Sequence, residues 1–210
     1  MNNSIIENIQ RSLGHNAETL LSARPPVYAA RNPGTIESEI QLFLEEVEKL
    51  SGVGQRLSTS DLNRALKALV TQQKIRIATV WGTPNLKQLS IAETLASLGV
   101  ELVSPNANTE EMALCDLGIT EADFILPETG TLVLRSSDEK PRGVSLLPPT
   151  HLAIVRPEML RADMHQVFAE AKDSNYLVFI TGPSRTADIE LTTTLGVHGP
   201  KNLLVWMVEG

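Results

Sequence analysis

Apolar residues recur at three-to-four spacing through Ile36, Ile40, Phe43, Leu44, Val47 and Leu50. That period predicts an amphipathic helix, stopped by the two glycines of SGVG. A second helix is expected from about Ser60 through Leu62, Ala65, Leu66, Leu69 and Val70. Upstream, the stretch ARPPVYAARNPG carries Pro25, Pro26, Pro33 and Gly34, which forbid a continuous helix and suggest an extended arm reached from a short leading helix. Residues 1–35 are therefore read as an N-terminal extension and residues 36–210 as one α/β domain.

From Ile75 the pattern changes to short apolar runs alternating with helical stretches: IRIATVW, PNLKQLSIAETLASLG, VELVSP, NTEEMALCDLG and ADFIL. Strand, helix, strand, helix, strand is the rhythm of a parallel sheet. Thr131 to Leu134 and Leu152 to Val155 then read as strands joined by a polar, proline-bearing loop, which implies an antiparallel insertion. EMLRADMHQVFAEAK reads as helix, YLVFIT as strand, and a short helix is expected after Ser184. NLLVWMVE closes the chain as a strand.

With 210 residues the chain can bury one sizeable core without disulfides or metal. A net charge of −7, with no run of five basic residues, removes the phosphate-neutralising stripe that nucleic-acid binding needs. The single cysteine, Cys115, rules out an intrachain disulfide and any cysteine-held iron–sulfur cluster supplied by this chain alone. No apolar run reaches the length of a membrane span, and Met1 to Leu21 lack the apolar core of a signal peptide, so a cytoplasmic protein is expected. GxxxxGK(S/T), GxGxxG and HExxH are all missing, which weakens nucleotide-motif and zinc-protease readings.

The stretch ITGPSRTADIE follows a strand, where α/β sheets place ligands. Gly182 permits close backbone approach, Ser184 is a natural N-cap, and the amides of the following turn, with Thr186, would face an anion. Arg185 could grip a carboxylate or phosphate with two parallel bonds. On the plainer reading Ser184 only caps the helix, Asp188 and Glu190 complement its dipole, and Arg185 pairs with one of them. A second glycine turn at Val197-His198-Gly199-Pro200 brings an imidazole close in sequence, which makes His198 and Gly199 candidate ligand contacts, although a lone histidine is more often structural.

Glu128 stands where a strand yields to a turn, with Thr129 and Gly130 able to donate hydrogen bonds beside it. It could act as a general base or nucleophile, or simply fasten two loops. Asp123 is expected to cap or anchor a strand end. His151, at the entrance to a strand behind Pro148 and Pro149, reads first as part of an edge or loop. Trp81-Gly82-Thr83-Pro84 reads as a strand-to-helix turn.

Taken together, GITEADFILPETGTLVLRSS, SLLPPTHLAIV, ITGPSRTADIE and GVHGP resemble the signature blocks of the LUD-domain family, in particular its lactate utilisation protein C (LutC/YkgG) group. The resemblance covers nearly the whole chain. It implies a fold like the NagB/RpiA/CoA-transferase group, a mostly parallel sheet with an antiparallel insertion. It also implies a place in a three-protein system that oxidises L-lactate to pyruvate, whose other members are iron–sulfur proteins. This chain would be the component without a cluster, needing no cofactor of its own, and would bind a small carboxylate or those partner proteins. A free-standing CoA-transferase-like or sugar-phosphate-isomerase-like enzyme using Glu128, and a pure scaffold, are the competing expectations.

Overall fold

The computed structural model describes residues 3–14, 31–174, 176–187, 193–196 and 198–210. Most of the proline-bearing arm, together with Asp188, Glu190 and Val197, lies outside them. The elements run α1 (Asn3–Ser12), α2 (Ile36–Lys49), β1 (Val53–Ser58), α3 (Leu62–Gln73), β2 (Ile77–Val80), α4 (Pro84–Gln88), α5 (Ile91–Ser97), β3 (Glu101–Val103), α6 (Thr109–Ala113) and β4 (Leu117–Glu121). They continue with β5 (Phe124–Leu126), β6 (Thr131–Arg135), α7 (Gly143–Leu146), β7 (Thr150–Val155), α8 (Met164–Glu170), β8 (Leu177–Ile180), β9 (Arg185–Ala187), β10 (Thr193–Leu195) and β11 (Asn202–Glu209).

Six strands form one sheet in the order β1-β11-β7-β4-β2-β3, and every neighbouring pair is parallel. β4 and β7, in its middle, are buried along their whole length, as strands covered on both faces must be. α2, α3 and α5 share one apolar cluster with the sheet, through residues such as Phe43, Leu66, Leu95, Ile119 and Val205. A second sheet, β5-β6-β8, is antiparallel. Its small core of Phe124, Leu126, Val133, Val167 and Ala171 lies partly under α8. The mostly parallel α/β architecture with an antiparallel portion, expected from the alternation of apolar runs, is the one observed.

Several assignments differ from the sequence reading: the polar connection between β6 and β7 carries the short helix α7, and the helix expected over 158–172 begins only at Met164. The third parallel strand is β4, not ADFIL; Leu117 and Gly118 leave the expected helix to begin it, and Phe124–Leu126 turns away into the small sheet. Leu152 to Val155 is not paired with Thr131 to Leu134 but runs between β4 and β11 at the centre of the large sheet. A short fully apolar run does not say which sheet will bury it. Finally, no helix starts at Ser184. Arg185–Ala187 is strand β9, paired antiparallel with β10, where Thr186 faces Thr194. The β-branched threonines of this stretch suit a pleated ladder better than a helix. The edge strand β1, opened by the same glycines that end α2, has too little apolar alternation to be seen in sequence.

Pairing register also places Thr79, Gly118 and His151 in one row across β2, β4 and β7. His151 is thus a core residue and not an edge or loop constraint. Its Nε2 lies 2.8 Å from Thr120 Oγ1, and complete burial pushes its pKa down to about 3.

Candidate functional site

Glu128 and Thr129 sit in a single 3-10 turn, Pro127–Thr129, between β5 and β6. Gly130 closes the turn at φ 59°, where a Cβ would stand 2.7 Å from the Val47 amide nitrogen and 2.8 Å from the Glu46 carbonyl carbon. Gly130 therefore lets the turn press onto α2, and its contribution to the site is this close approach. Beyond the turn the hydroxyls form a chain: Thr129 Oγ1 is 2.7 Å from Thr131 Oγ1, which is 2.8 Å from Thr181 Oγ1. The ETGT stretch and the ITG stretch, fifty residues apart in sequence, meet through these threonines.

A cavity of about 420 Å³ opens beside them. It is lined by Glu128, Asp163 and the three threonines and by the apolar Leu126, Ala162, Met164 and Phe179. Asp163 caps α8, accepting a bond from the Gln166 amide at 3.0 Å, and that amide holds its carboxyl below the usual carboxylate range. Arg31 approaches from the arm. Its guanidinium grips Glu39 at 2.6 and 3.0 Å, and Glu128 adds a weaker attraction to it. Among the described lining residues the ionisable groups are the two carboxylates, so the lining combines acidic with apolar side chains.

The remaining candidates gather at a second place. Gly182, at φ 87°, lies against Leu50, and Arg185 Nη2 donates to the Leu50 carbonyl and, at 3.1 Å, to Ser51 Oγ. A guanidinium on the C-cap carbonyl of α2 satisfies an orphan acceptor and complements the helix dipole. Ser184 N donates to Pro200 O at 2.9 Å, Gly196 N donates to Ser184 O at 3.0 Å, and Gly199 packs on the Ser184 side chain. The two glycine turns thus come together through a hairpin and not at a helix N-terminus. His198 is exposed in this segment, Thr186 stands in β9, and Asp188 is outside the described residues. None of Ser184, Arg185, His198 or Gly199 lines the Glu128 cavity. Replacing Arg185 with Ala is expected to destabilise the fold by roughly 1 kcal/mol through the lost α2 cap. Chemical denaturation checks this, and unchanged stability would show that the cap contributes nothing.

Sequence reasoning missed Thr131, Thr181 and Asp163. The two threonines adjoin motifs already singled out, whereas Asp163 carries only the signature of a helix cap. Asp123 does anchor a strand end, its Oδ2 accepting from the Arg135 amide at 2.7 Å and its Oδ1 meeting Lys140 Nζ at 2.8 Å. Trp81 follows β2 in the strand-to-helix turn, with Nε1 donating to Pro141 O at 3.0 Å.

Fold and site together define an α/β domain whose parallel sheet carries a small antiparallel sheet with an acidic, apolar-walled cavity on it. The LUD domain family model matches residues 40–208, and the chain belongs to that family. Two similar relatives are each called Lactate utilization protein C. The one from Halalkalibacterium halodurans is 28% identical over 222 residues, covering 98% of this chain and 96% of its own. The one from Shouchella clausii is 26% identical over 212 residues, covering 94% and 93%. The crystal structure of a DUF162 family protein from Deinococcus radiodurans superposes with a TM-score of 0.64 at 19% identity, over 84% of this chain and 100% of that one, which supports the fold.

Proposed function

We propose that this chain is the cluster-free component of a cytoplasmic system that oxidises L-lactate to pyruvate, and that it works by binding the iron–sulfur proteins of that system. The observation that carries this reading is family membership across 40–208, joined to full-length similarity to proteins named for lactate utilisation. Cys115 agrees with it: the one thiol is buried, and burial first, then Asp116 and Glu101, pushes its pKa up to about 11, the opposite of a thiolate ligand.

Between a small carboxylate and a partner protein, the geometry favours the partner. The Glu128 cavity presents two carboxylates, which repel lactate and pyruvate, and Arg185 is engaged with the end of α2. Among the described residues no helix is long and apolar enough to cross a membrane.

Reconstitution with the purified iron–sulfur proteins tests the reading. L-lactate-dependent reduction of an artificial electron acceptor is expected to require this chain, and the chain alone is expected to give no turnover. Full activity without it would refute the proposal.

A further inference from the structure

The small sheet carries a run of exposed apolar side chains that continues from the cavity. Met164 and Phe168, one turn apart on α8, are 48% and 50% exposed, and Phe179 on β8 is 38% exposed. The Phe168 and Phe179 rings sit 5.9 Å apart, so the surface is contiguous, unlike the scattered single apolar residues of an ordinary surface. β8 is the last strand of its sheet, so among the described residues one side of its backbone has no strand partner. Glu128 and Asp163 line the same cavity as Met164 and Phe179, together with the hydrogen-bonded hydroxyls of Thr129, Thr131 and Thr181. The nearby Arg31 is already held by Glu39 in a paired geometry, which leaves the two lining carboxylates with net negative charge.

We propose that this surface is a docking site for an extended protein segment bearing one Lys or Arg side chain, inserted between Glu128 and Asp163, with an apolar residue beside it on Phe179 and Phe168. Charge complementarity selects the basic side chain. A cationic head with an aliphatic stem matches a cavity whose lining holds two carboxylates and four apolar side chains. The open edge of β8 supplies backbone donors and acceptors for an added strand, the mode in which main-chain bonds give affinity and side-chain pockets give specificity. The inference rests on the partner-binding reading above and names the chemistry of the partner.

Two measurements separate the two. The first is the dissociation constant of the complex with the purified iron–sulfur proteins. Glu128→Lys and Phe179→Asp are each expected to weaken it by about tenfold or more, the effect of losing an interface anchor. Glu110→Lys on α6 is expected to leave it unchanged, and since Glu128 and Phe179 are exposed, all three variants should melt like the parent. The second is a titration with the peptide acetyl-Val-Arg-Val-Phe-amide, followed at the Met164 methyl resonance. A saturable shift is expected, lost in Glu128→Lys. If the parent binds no iron–sulfur protein yet the peptide shifts Met164, the lactate reading fails and the docking surface stands. A complex indifferent to both substitutions, with a silent Met164, overturns the surface. Substitutions that abolish only self-association of the chain also overturn it, in favour of a second copy as the occupant.

Discussion

Replacing Gly118 with Ala is expected to destabilise the protein more than any other single methyl addition at a glycine of the central sheet. An ideal Cβ at Gly118 falls 1.9 Å from Val144 O, with the Val144 carbonyl carbon and Pro148 Cγ each at 3.0 Å. The nearest atom is a backbone carbonyl of α7, which cannot rotate away as a side chain would. Relief requires lifting the 143–148 segment off β4. Overpacking of this kind costs typically 1–3 kcal/mol and more where backbone must move, so a loss of about 3 kcal/mol or above is expected. For a chain of this size that is a fall in Tm on the order of 10 °C. Gly82→Ala is the control: the one atom near its Cβ position is Lys87 Cε at 3.9 Å, so it should be close to neutral. A Gly118→Ala protein within about 1 kcal/mol of the parent would mean that α7 does not seat on β4 as described.

The second large effect is loss of stability in mild acid. His151 has its pKa lowered from 6.5 to about 3 by burial alone, so the folded chain holds it neutral while the unfolded chain protonates it below 6.5. Between those values the unfolded state binds more protons, and stability rises with pH. It is fully present above 6.5 and is lost as pH falls towards 3. The limiting slope is about 1.4 kcal/mol per pH unit. Carboxyls held low by their partners, such as Glu39 beside Arg31 and Glu170 beside Arg161, act in the same direction but lower down. Their stabilisation is present above an unfolded pKa of 4.5 and is lost only below it. Denaturation midpoints compared at pH 7.5, 6 and 5 therefore isolate the histidine. His151→Gln should flatten that window, because the amide can still reach Thr120 but does not titrate. A flat profile for the parent would place water or a charge beside the ring.

The fate of particular residues shows how far a sequence can be read. Ile40, Phe43 and Val47 bury one face of α2 as their spacing requires. NLLVWMVE is β11, and the alternation from Ile75 onward did yield a parallel sheet. Ser184 failed as a helix start because a serine before a short polar stretch looks the same whether it caps a helix or enters a hairpin. Here the bonds from Ser184 N to Pro200 O and from Gly196 N to Ser184 O, made to residues farther along the chain, decided for the hairpin. Glu128 and Thr129 were visible as an ETG turn, but their neighbours Asp163 and Thr181 come from α8 and the end of β8.

The sequence by itself determined the α/β class, the α2, α3 and β11 elements and the family. Each of these depends on local periodicity, composition or contiguous motif. Only the tertiary structure decided that β7 lies at the centre of the large sheet, that Arg185 caps α2, and that Glu128 and Asp163 line one cavity with apolar side chains. Those facts are set by contacts between residues tens of positions apart. No local pattern encodes them, because the same apolar run or charged side chain is compatible with several neighbours until the chain closes on itself.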